Sequence, residues 1–394
     1  MRRDDLSHDV RQRLTRYGSP FDAHYGVVPA PPPEHVVSTM EIRACCEAAE
    51  RALAVIETLA SNLPDPWLVS RILLRREAVS SSAMENTNAT LDELLSVEEG
   101  GAPDASSTAL QVRDYALALD ELIPEARRCG PAMFTVDLVA RLHAAAMRGD
   151  GNYLDSPGNL RTSVVWIGGK GDIAYSTFNP QPPGDVRPCL EQTMAYLRCE
   201  GMQTMHQSLL TRMAIAHAHF EAVHPFRDGN GRVGRLLLPL MMAAEGTVPL
   251  FLSPYIEANR DAYYAALKAA QQRLEWPAII GFMADAVVGT VAELLATRSA
   301  LDQLGRIWRT RRKFRNGSAA LRALDHLSHY PVVTVTRLTK ILDITFPAAA
   351  AAVNQLTETG ILTERTGYRA HRISVAREAL SIINRPFGEE PILP

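Results

Sequence analysis

The sequence predicts a mainly α-helical chain with one β-hairpin inside its helical core and a small module of helices and a hairpin at its C-terminal end. Three observations carry that reading. Apolar residues recur at helical spacing in one segment after another, as in Leu209, Leu210, Met213, Ala216, His217 and Phe220. Strand-like alternation is confined to 159–180 and to the stretch after Gly360. A composition that is 46% apolar over 394 residues suffices for sizeable cores and for two or three domains. We divide the chain at 106 and 305: an N-terminal helical region (1–106), a core (107–305), and a linker with the C-terminal module (306–394).

Net charge of −3 and a pI near 6.4 argue against a protein that coats nucleic acid or an anionic membrane through overall charge. The five cysteines, Cys45, Cys46, Cys129, Cys189 and Cys199, form no CxxC and no Cys/His metal pattern, and read as reduced, buried thiols. The start MRRDDLSHDV has no apolar h-region, and no later run reaches about 18 uncharged apolar residues. The expectation is a cytoplasmic protein without membrane contact.

In chain order, 1–35 lacks periodicity and ends in Pro29-Ala30-Pro31-Pro32-Pro33, an extended arm. A helix is expected over 36–62, stopped by Pro64-Asp65-Pro66, and a shorter one over 68–79 with Leu68, Ile72 and Leu73 on one face and Arg71, Arg75 and Arg76 elsewhere. The serine-rich piece 80–86 reads as a helix end or loop, where Glu85 by itself is a solvated charge. Thr90-Leu91-Asp92-Glu93 is a capping box that opens a helix over 91–97, before the loop 100–107. Amphipathic helices follow over 108–127 and 135–148; His143 on the second reads as a packing or surface histidine. In 159–180, Thr162, Val164, Val165, Trp166 and Ile167 precede Gly168-Gly169-Lys170-Gly171 and then Ile173, Tyr175, Thr177 and Phe178, a hairpin signature that by composition alone is a surface ribbon. Pro180, Pro182 and Pro183 end it, and a helix runs to about Glu200.

The next helix runs to about Ala222, where Pro225 ends it and leaves His224 at a helix terminus. Gly229-Asn230-Gly231 supply flexible backbone whose N–H groups turn inward as an anion nest, and the apolar run 236–242 reads as a helix beginning near Gly231. Phosphate would meet that helix N-terminus. Arg232 and Arg235, three apart, share one face of the first turn and could grip successive phosphates while Asp228 holds a magnesium ion. A metal pair of His217 or His219 with His224 is disfavoured, because the helix ends between them and His219 faces away.

Beyond the loop, Tyr255, Asn259, Tyr263 and Tyr264 form a helical stripe of the kind that is more often core. A helix over 277–305 meets the charged run 306–315, read as a solvated linker. Helices over 319–329, 335–342 and 346–359, then alternation through Ile361, Thr363, Arg365, Gly367, Tyr368, His371, Ile373 and Val375, make a winged helix. Its would-be recognition helix carries no lysine or arginine over 346–355, so protein contact is as well supported as DNA contact.

The twelve residues 224–235, HPFRDGNGRVGR, resemble position for position the signature of the Fic family of nucleotidyl transferases. The resemblance implies a Fic-fold helical bundle with a hairpin flap, and transfer of AMP from ATP to a hydroxyl side chain of a target protein with Mg2+ as cofactor. Carried over by residue, it makes His224 the general base, Phe226 the loop anchor and Asp228 the magnesium ligand. Gly229, Asn230 and Gly231 become the anion hole, Arg232 a phosphate clamp, Gly234 a member of the same phosphate-binding set, and Arg235 the contact to the terminal phosphate. A histidine, with an ordinary pKa of roughly 6.5, suits the removal of a hydroxyl proton near neutral pH, and fixed donors favour the charge that grows on the α-phosphate.

Three further segments extend the likeness. Ser81-x-x-x-Glu85-Asn86 is similar to the inhibitory motif found upstream in many Fic proteins, which implies that Glu85 pairs with Arg235 and occupies the place of the γ-phosphate. Leu160-Arg161-Thr162-Ser163 with Trp166-Ile167-Gly168-Gly169 resembles the flap, so that Thr162, Ser163, Val164, Val165, Trp166 and Ile167 would hold a target segment by strand addition. Tyr255, Asn259 and Tyr263 match a segment bordering the nucleotide base, the alternative being that they only pack. Two other functions stay open: a DNA-binding regulator whose core senses nucleotide, and a Fic enzyme that moves UMP, phosphocholine or phosphate or removes AMP. The intact His224 favours an enzyme and the complete GNGRVGR favours ATP as AMP donor; a homodimer stays open.

Overall fold

The computed structural model describes residues 1–37, 39–62, 68–100, 106–151, 153, 155–201, 207–365 and 372–394. The expected stop at Pro64-Asp65-Pro66, most of the loop 100–107, and Gly367, Tyr368 and His371 of the terminal hairpin lie outside these residues.

The chain opens with a turn of helix, α1 (His8–Arg11), and a hairpin of β1 (Leu14–Arg16) with β2 (Tyr25–Val27). Helices α2 (Met40–Ser61), α3 (Leu68–Ala83), α4 (Leu91–Glu98), α5 (Ser107–Cys129) and α6 (Val136–Ala146) follow. The hairpin of β3 (Ile167–Gly168) with β4 (Ser176–Phe178) interrupts them. Then come α7 (Val186–Leu197), α8 (Leu209–Val223), α9 (Asn230–Ala244), α10 (Ser253–Ala258), α11 (Arg260–Arg273) and α12 (Trp276–Thr310). The last part holds α13 (Ala319–Leu324), β5 (Val332–Thr334), α14 (Val335–Leu342), α15 (Phe346–Glu358), β6 (Thr363–Glu364), β7 (Ile373–Val375) and α16 (Arg377–Ile383). These residues gather into two units, 1–60 with 117–290 and 61–116 with 291–394.

The first unit is built around α8, which buries Leu210 and every residue from 212 to 223. A helix covered on all sides is the centre of its bundle; α7, α9 and α11 pack on it, and α6 packs on α7 and α9. The N-terminal arm is not simply extended. Its β1–β2 hairpin pairs Leu14 with Val27, and Val27 bridges Pro180 just past β4. A side chain at Gly26 would stand 2.3 Å from the Pro180 carbonyl, so only glycine admits that approach. This is a tertiary pairing with no local pattern to announce it.

The second unit joins α3 and α4 to the C-terminal module, which is why it departs from divisions at 106 and 305. Buried Arg76 donates to Glu293 (2.7 Å) and to the Arg385 carbonyl (2.8 Å), and Arg385 donates to the other oxygen of Glu293 (2.8 Å). Arg71 and Arg75 both hold Glu98, Arg337 holds Glu99, and Arg365 holds Asp92. Removing one member of the buried Arg76–Glu293–Arg385 cluster leaves a charge without a partner and costs about 3–5 kcal/mol, whatever the net worth of the pair. Of the arginines read as lying off the apolar face of α3, Arg75 and Arg76 are therefore interior groups and Arg71 is partly exposed. The capping box at Thr90 and Glu93 is formed as expected.

The C-terminal module runs α13, β5, α14, α15, β6 and β7, with strands ordered β5-β7-β6 and a core of Leu324, Leu338, Leu342, Leu356, Ile361 and Ile382. Part of the run read as linker belongs to that core: α12 continues to Thr310, and buried Trp308 donates its indole N–H to Glu378 at 2.7 Å. Over its most apolar stretch α12 is long and apolar enough to cross a membrane, and 56% of that stretch is buried in protein, as in a core helix. The sequence reading required an uncharged run, which Asp285 and Glu293 interrupt. Of the cysteines only Cys189 is buried; Cys129 is exposed and the other three are partly so, which corrects the expectation of buried thiols.

Candidate active site

Helix α8 ends because His224 turns left-handed, with φ 47° and ψ 63°, and because Pro225 has no N–H with which to continue. Its own N–H still closes the last turn onto the Phe220 carbonyl (3.0 Å). A left-handed residue other than glycine costs on the order of 1–3 kcal/mol and persists only where neighbours impose it. Here the carbonyls of Val223, His224 and Pro225 are all taken by donors from Arg161 and Gln181.

From this turn the chain dives inward. Phe226 is fully buried and stacks on His143, ring centroids 3.7 Å apart and planes 8° from parallel. The Asn230 amide closes the loop onto both backbone groups of Phe226, accepting from its N–H and donating to its carbonyl at 2.8 Å each. Asn230 is thus a staple rather than flexible backbone. Gly229 is left-handed at φ 77°, and a Cβ there would lie 2.7 Å from the Met147 sulfur. The Gly229 N–H donates to an Asp228 carboxylate oxygen (2.7 Å), and Asp228 is otherwise exposed at the lip of the loop. Helix α9 starts at Asn230, and its first helical bond runs from Val233 to Gly229, so the preceding N–H groups are those a helix start offers to an anion. An exposed carboxylate beside that nest is a hard oxygen donor of the kind magnesium shares with phosphate, so Asp228 fits the cation expected of it.

Four residues carried over as nucleotide ligands have other duties. Arg232 turns away to the end of α6, donating to the Ala146 carbonyl (2.9 Å) and the Met147 sulfur (2.8 Å); a guanidinium so engaged closes a helix C-terminus instead of clamping phosphate. Gly234 keeps α8 and α9 close, since a Cβ there would stand 2.4 Å from a Glu221 carboxylate oxygen. His217 donates from Nδ1 to the Gly234 carbonyl (3.1 Å) and accepts at Nε2 from the Tyr263 hydroxyl (2.7 Å). Burial, with Arg235 nearby, lowers its pKa to about 3 and keeps it neutral. Tyr263 is buried against Phe282 and spends its hydroxyl on His217, which assigns it to the packing alternative. Asn259 donates to the Tyr255 carbonyl (2.9 Å) where α10 meets α11; Tyr255 stays partly exposed with its ring edge-on to Phe282. Arg235 lies within the first turns of α9 at 1% exposure.

Residues 43–122 match the Fic/DOC family N-terminal region, and residues 133–242 match the Fic/DOC family itself. The chain carries a Fic domain preceded by a Fic N-terminal region. Protein adenylyltransferase fic-1 of Caenorhabditis briggsae is 35% identical over 136 residues, 34% of this chain and 24% of that protein. Protein adenylyltransferase Fic of Drosophila erecta is 30% identical over 146 residues, 37% of this chain and 27% of that protein. The aligned part thus spans about a quarter of the length of these curated relatives. A Fic family protein from Desulfovibrio desulfuricans G20 superposes with a TM-score of 0.55 at 21% identity, covering 88% of this chain and 98% of that one, a likeness of fold.

The β3–β4 hairpin is shorter than its signature suggested. Only Ile167 and Gly168 pair with β4, while 162–166 precede the strand; Thr162 and Ser163 are exposed, and Val164, Val165, Trp166 and Ile167 are half-buried. The Trp166 ring meets Phe21 of the N-terminal hairpin, centroids 5.7 Å apart. In the second unit, α3 extends through the serines to Ala83, so 80–82 is helix rather than loop. It closes with Asn86 N–H on the Ala83 carbonyl (3.1 Å) and Thr87 N–H on the Ser82 carbonyl (3.0 Å), a Schellman motif with Asn86 left-handed at φ 61°. Glycine or asparagine is needed after Glu85 for that reason. Ser81 is fully buried and Glu85 half-buried.

The reading of His143 missed its part in the Fic loop. Gly158 N–H donates to its Nδ1 (2.8 Å), so Nε2 carries the proton and donates to the Asp228 carbonyl (3.1 Å). Desolvation lowers its pKa to about 4, which fixes this neutral tautomer at physiological pH. No local signal links it to a carbonyl 85 residues away. The loop's dependence on glycine is measurable: Gly229→Ala should lower stability by about 1–2 kcal/mol, seen as a lower urea midpoint at unchanged slope.

Proposed function

We propose that this protein transfers AMP from ATP to a serine, threonine or tyrosine hydroxyl of a target protein. The observation that carries the reading is the placement of His224 on the turn that leads directly into the nest at the start of α9. The hydroxyl oxygen bonds to the α-phosphorus, the bond from that phosphorus to the oxygen bridging to the β-phosphate breaks, and pyrophosphate leaves with the bridging oxygen. His224 takes the hydroxyl proton. The N–H groups at the start of α9 stabilise the charge that grows on the transferred phosphoryl oxygens. Asp228 would hold a magnesium ion, which neutralises phosphate charge when bound. Glu85 at the end of α3 is proposed to pair with Arg235 and keep ATP out of line for attack.

The DNA-binding alternative has less support. The exposed face of α15 presents Phe346, Pro347, Ala351 and Asn354 and no cation. Of the basic run, Arg309, Arg311 and Arg312 are paired with Asp325, Glu378 and Glu358. A target protein is the better partner for that face. The deciding experiment incubates the Glu85→Gly chain and a cell lysate with ATP labelled at the α- or the γ-phosphate. Label on protein hydroxyls from α-labelled ATP alone is expected; label from γ-labelled ATP would instead mean phosphate transfer.

A further inference from the structure

Three successive carbonyls of the catalytic turn are held from the two feet of the flap. Gln181, after β4, donates its Nε2 to Val223 O (2.9 Å); Arg161, before the flap, donates its Nε to His224 O (2.8 Å) and its backbone N–H to Pro225 O (2.9 Å). The same guanidinium donates to Ser163 O (3.1 Å) and to Gln181 O (2.8 Å). One side chain, 3% exposed, therefore joins the residue that carries the base to both ends of the target-docking ribbon.

Packing alone does not call for this arrangement. Each acceptor that the Arg161 side chain meets is a neutral backbone carbonyl, and burying a cation among such groups costs several kcal/mol that an amide or apolar side chain would not incur. What a guanidinium adds is a rigid planar fork that fixes several acceptors in one geometry. Burial lowers the Arg161 pKa to about 10, so the fork stays charged at neutral pH. His224 is left-handed and precedes proline, a combination that sterics disfavour, and the donors that steady this turn also fix the flap ends to it, so that loss of the fork lets the flap slide against the base.

We propose that Arg161, with Gln181 beside it, is a positioning residue that sets the register between flap and His224, so that a hydroxyl held on the flap edge arrives within reach of the base. The proposal rests on the reading of His224 as base and of the flap as the target edge. It separates two fates of ATP: transfer to a flap-held hydroxyl depends on the register, whereas transfer to water depends on His224 alone.

The test uses the full chain with Glu85→Gly and α-labelled ATP, measuring label incorporated into the chain itself against AMP released to water. Arg161→Lys keeps the charge without the fork, and Gln181→Met keeps the volume without the bond to Val223. In both, ATP affinity by calorimetry should be unchanged while the ratio of self-modification to hydrolysis falls by about tenfold or more, since a misplacement near 1 Å can cost on the order of a hundredfold. A purely structural role lowers both products together, because fewer molecules are folded, and leaves the ratio constant; a constant ratio overturns the proposal. Should Arg161→Lys fail to fold, Gln181→Met gives the same comparison. A parent chain that transfers no AMP removes the functional reading itself, whereas a transferring parent with a constant ratio removes only this proposal.

Discussion

In the Glu85→Gly background, His224→Ala should keep ATP bound and lower AMP transfer by about 10²–10⁴-fold, the usual worth of a positioned general base. The separation is expected because the loop has anchors on other groups. Phe226 is anchored by its stack on His143 and by the Asn230 amide, and the turn is held through backbone carbonyls, so alanine leaves all of these in place. Asp228 and the start of α9 stay available to the phosphates. His224→Asn is the sterner control, since asparagine tolerates the left-handed conformation yet is no base. Calorimetric titration of ATP and incorporation of labelled AMP should diverge in both variants. Transfer surviving at the parent rate would remove the proton-acceptor role, and loss of ATP affinity would mean that the turn itself had moved.

How far this could be read from sequence follows from the range of the forces involved. Helix ends set by neighbours in the chain were legible: the Thr90/Glu93 capping box, the stop of α8 at Pro225 and the start of α9 at Asn230 all lie within a turn of their cause. Residue types in the loop were legible too, but not always their partners. Arg232 reaches the Ala146 carbonyl 86 positions back, His143 the Asp228 carbonyl 85 positions on, and Arg161 the His224 carbonyl 63 positions on. A single sequence carries no trace of such pairings. For the same reason α3 was read with one apolar face and its three arginines elsewhere, when Arg75 and Arg76 are interior groups answered by Glu98, Glu293 and the Arg385 carbonyl. Tyr263 shows the converse: a stripe at helical spacing fits a base pocket and a core equally well until the hydroxyl is seen to serve His217.

Glu85→Gly should raise AMP transfer about tenfold or more, and the end of α3 explains why that variant tests the carboxylate alone. The Schellman bonds from Asn86 to Ala83 and from Thr87 to Ser82 are backbone to backbone, and Glu85 sits at the C-cap, where glycine is well tolerated. The helix end therefore keeps its course while the carboxylate is lost. If that carboxylate is what engages Arg235, removing it frees the guanidinium to align the terminal phosphates, and correcting a misplacement of about 1 Å recovers up to roughly a hundredfold in rate. The effect must then run through Arg235: Arg235→Ala in the same background should lose the gain while Glu85→Gly alone keeps it. Substitution at the cap gives the matching control, because Asn86→Gly preserves the left-handed residue and should leave the protein inhibited, whereas Asn86→Val strains the φ of 61° and should loosen the segment and activate in part. Labelled-AMP incorporation by the parent, Glu85→Gly and the double variant decides the matter; equal incorporation by the first two reduces the segment from Ser81 to Asn86 to a well-capped helix end.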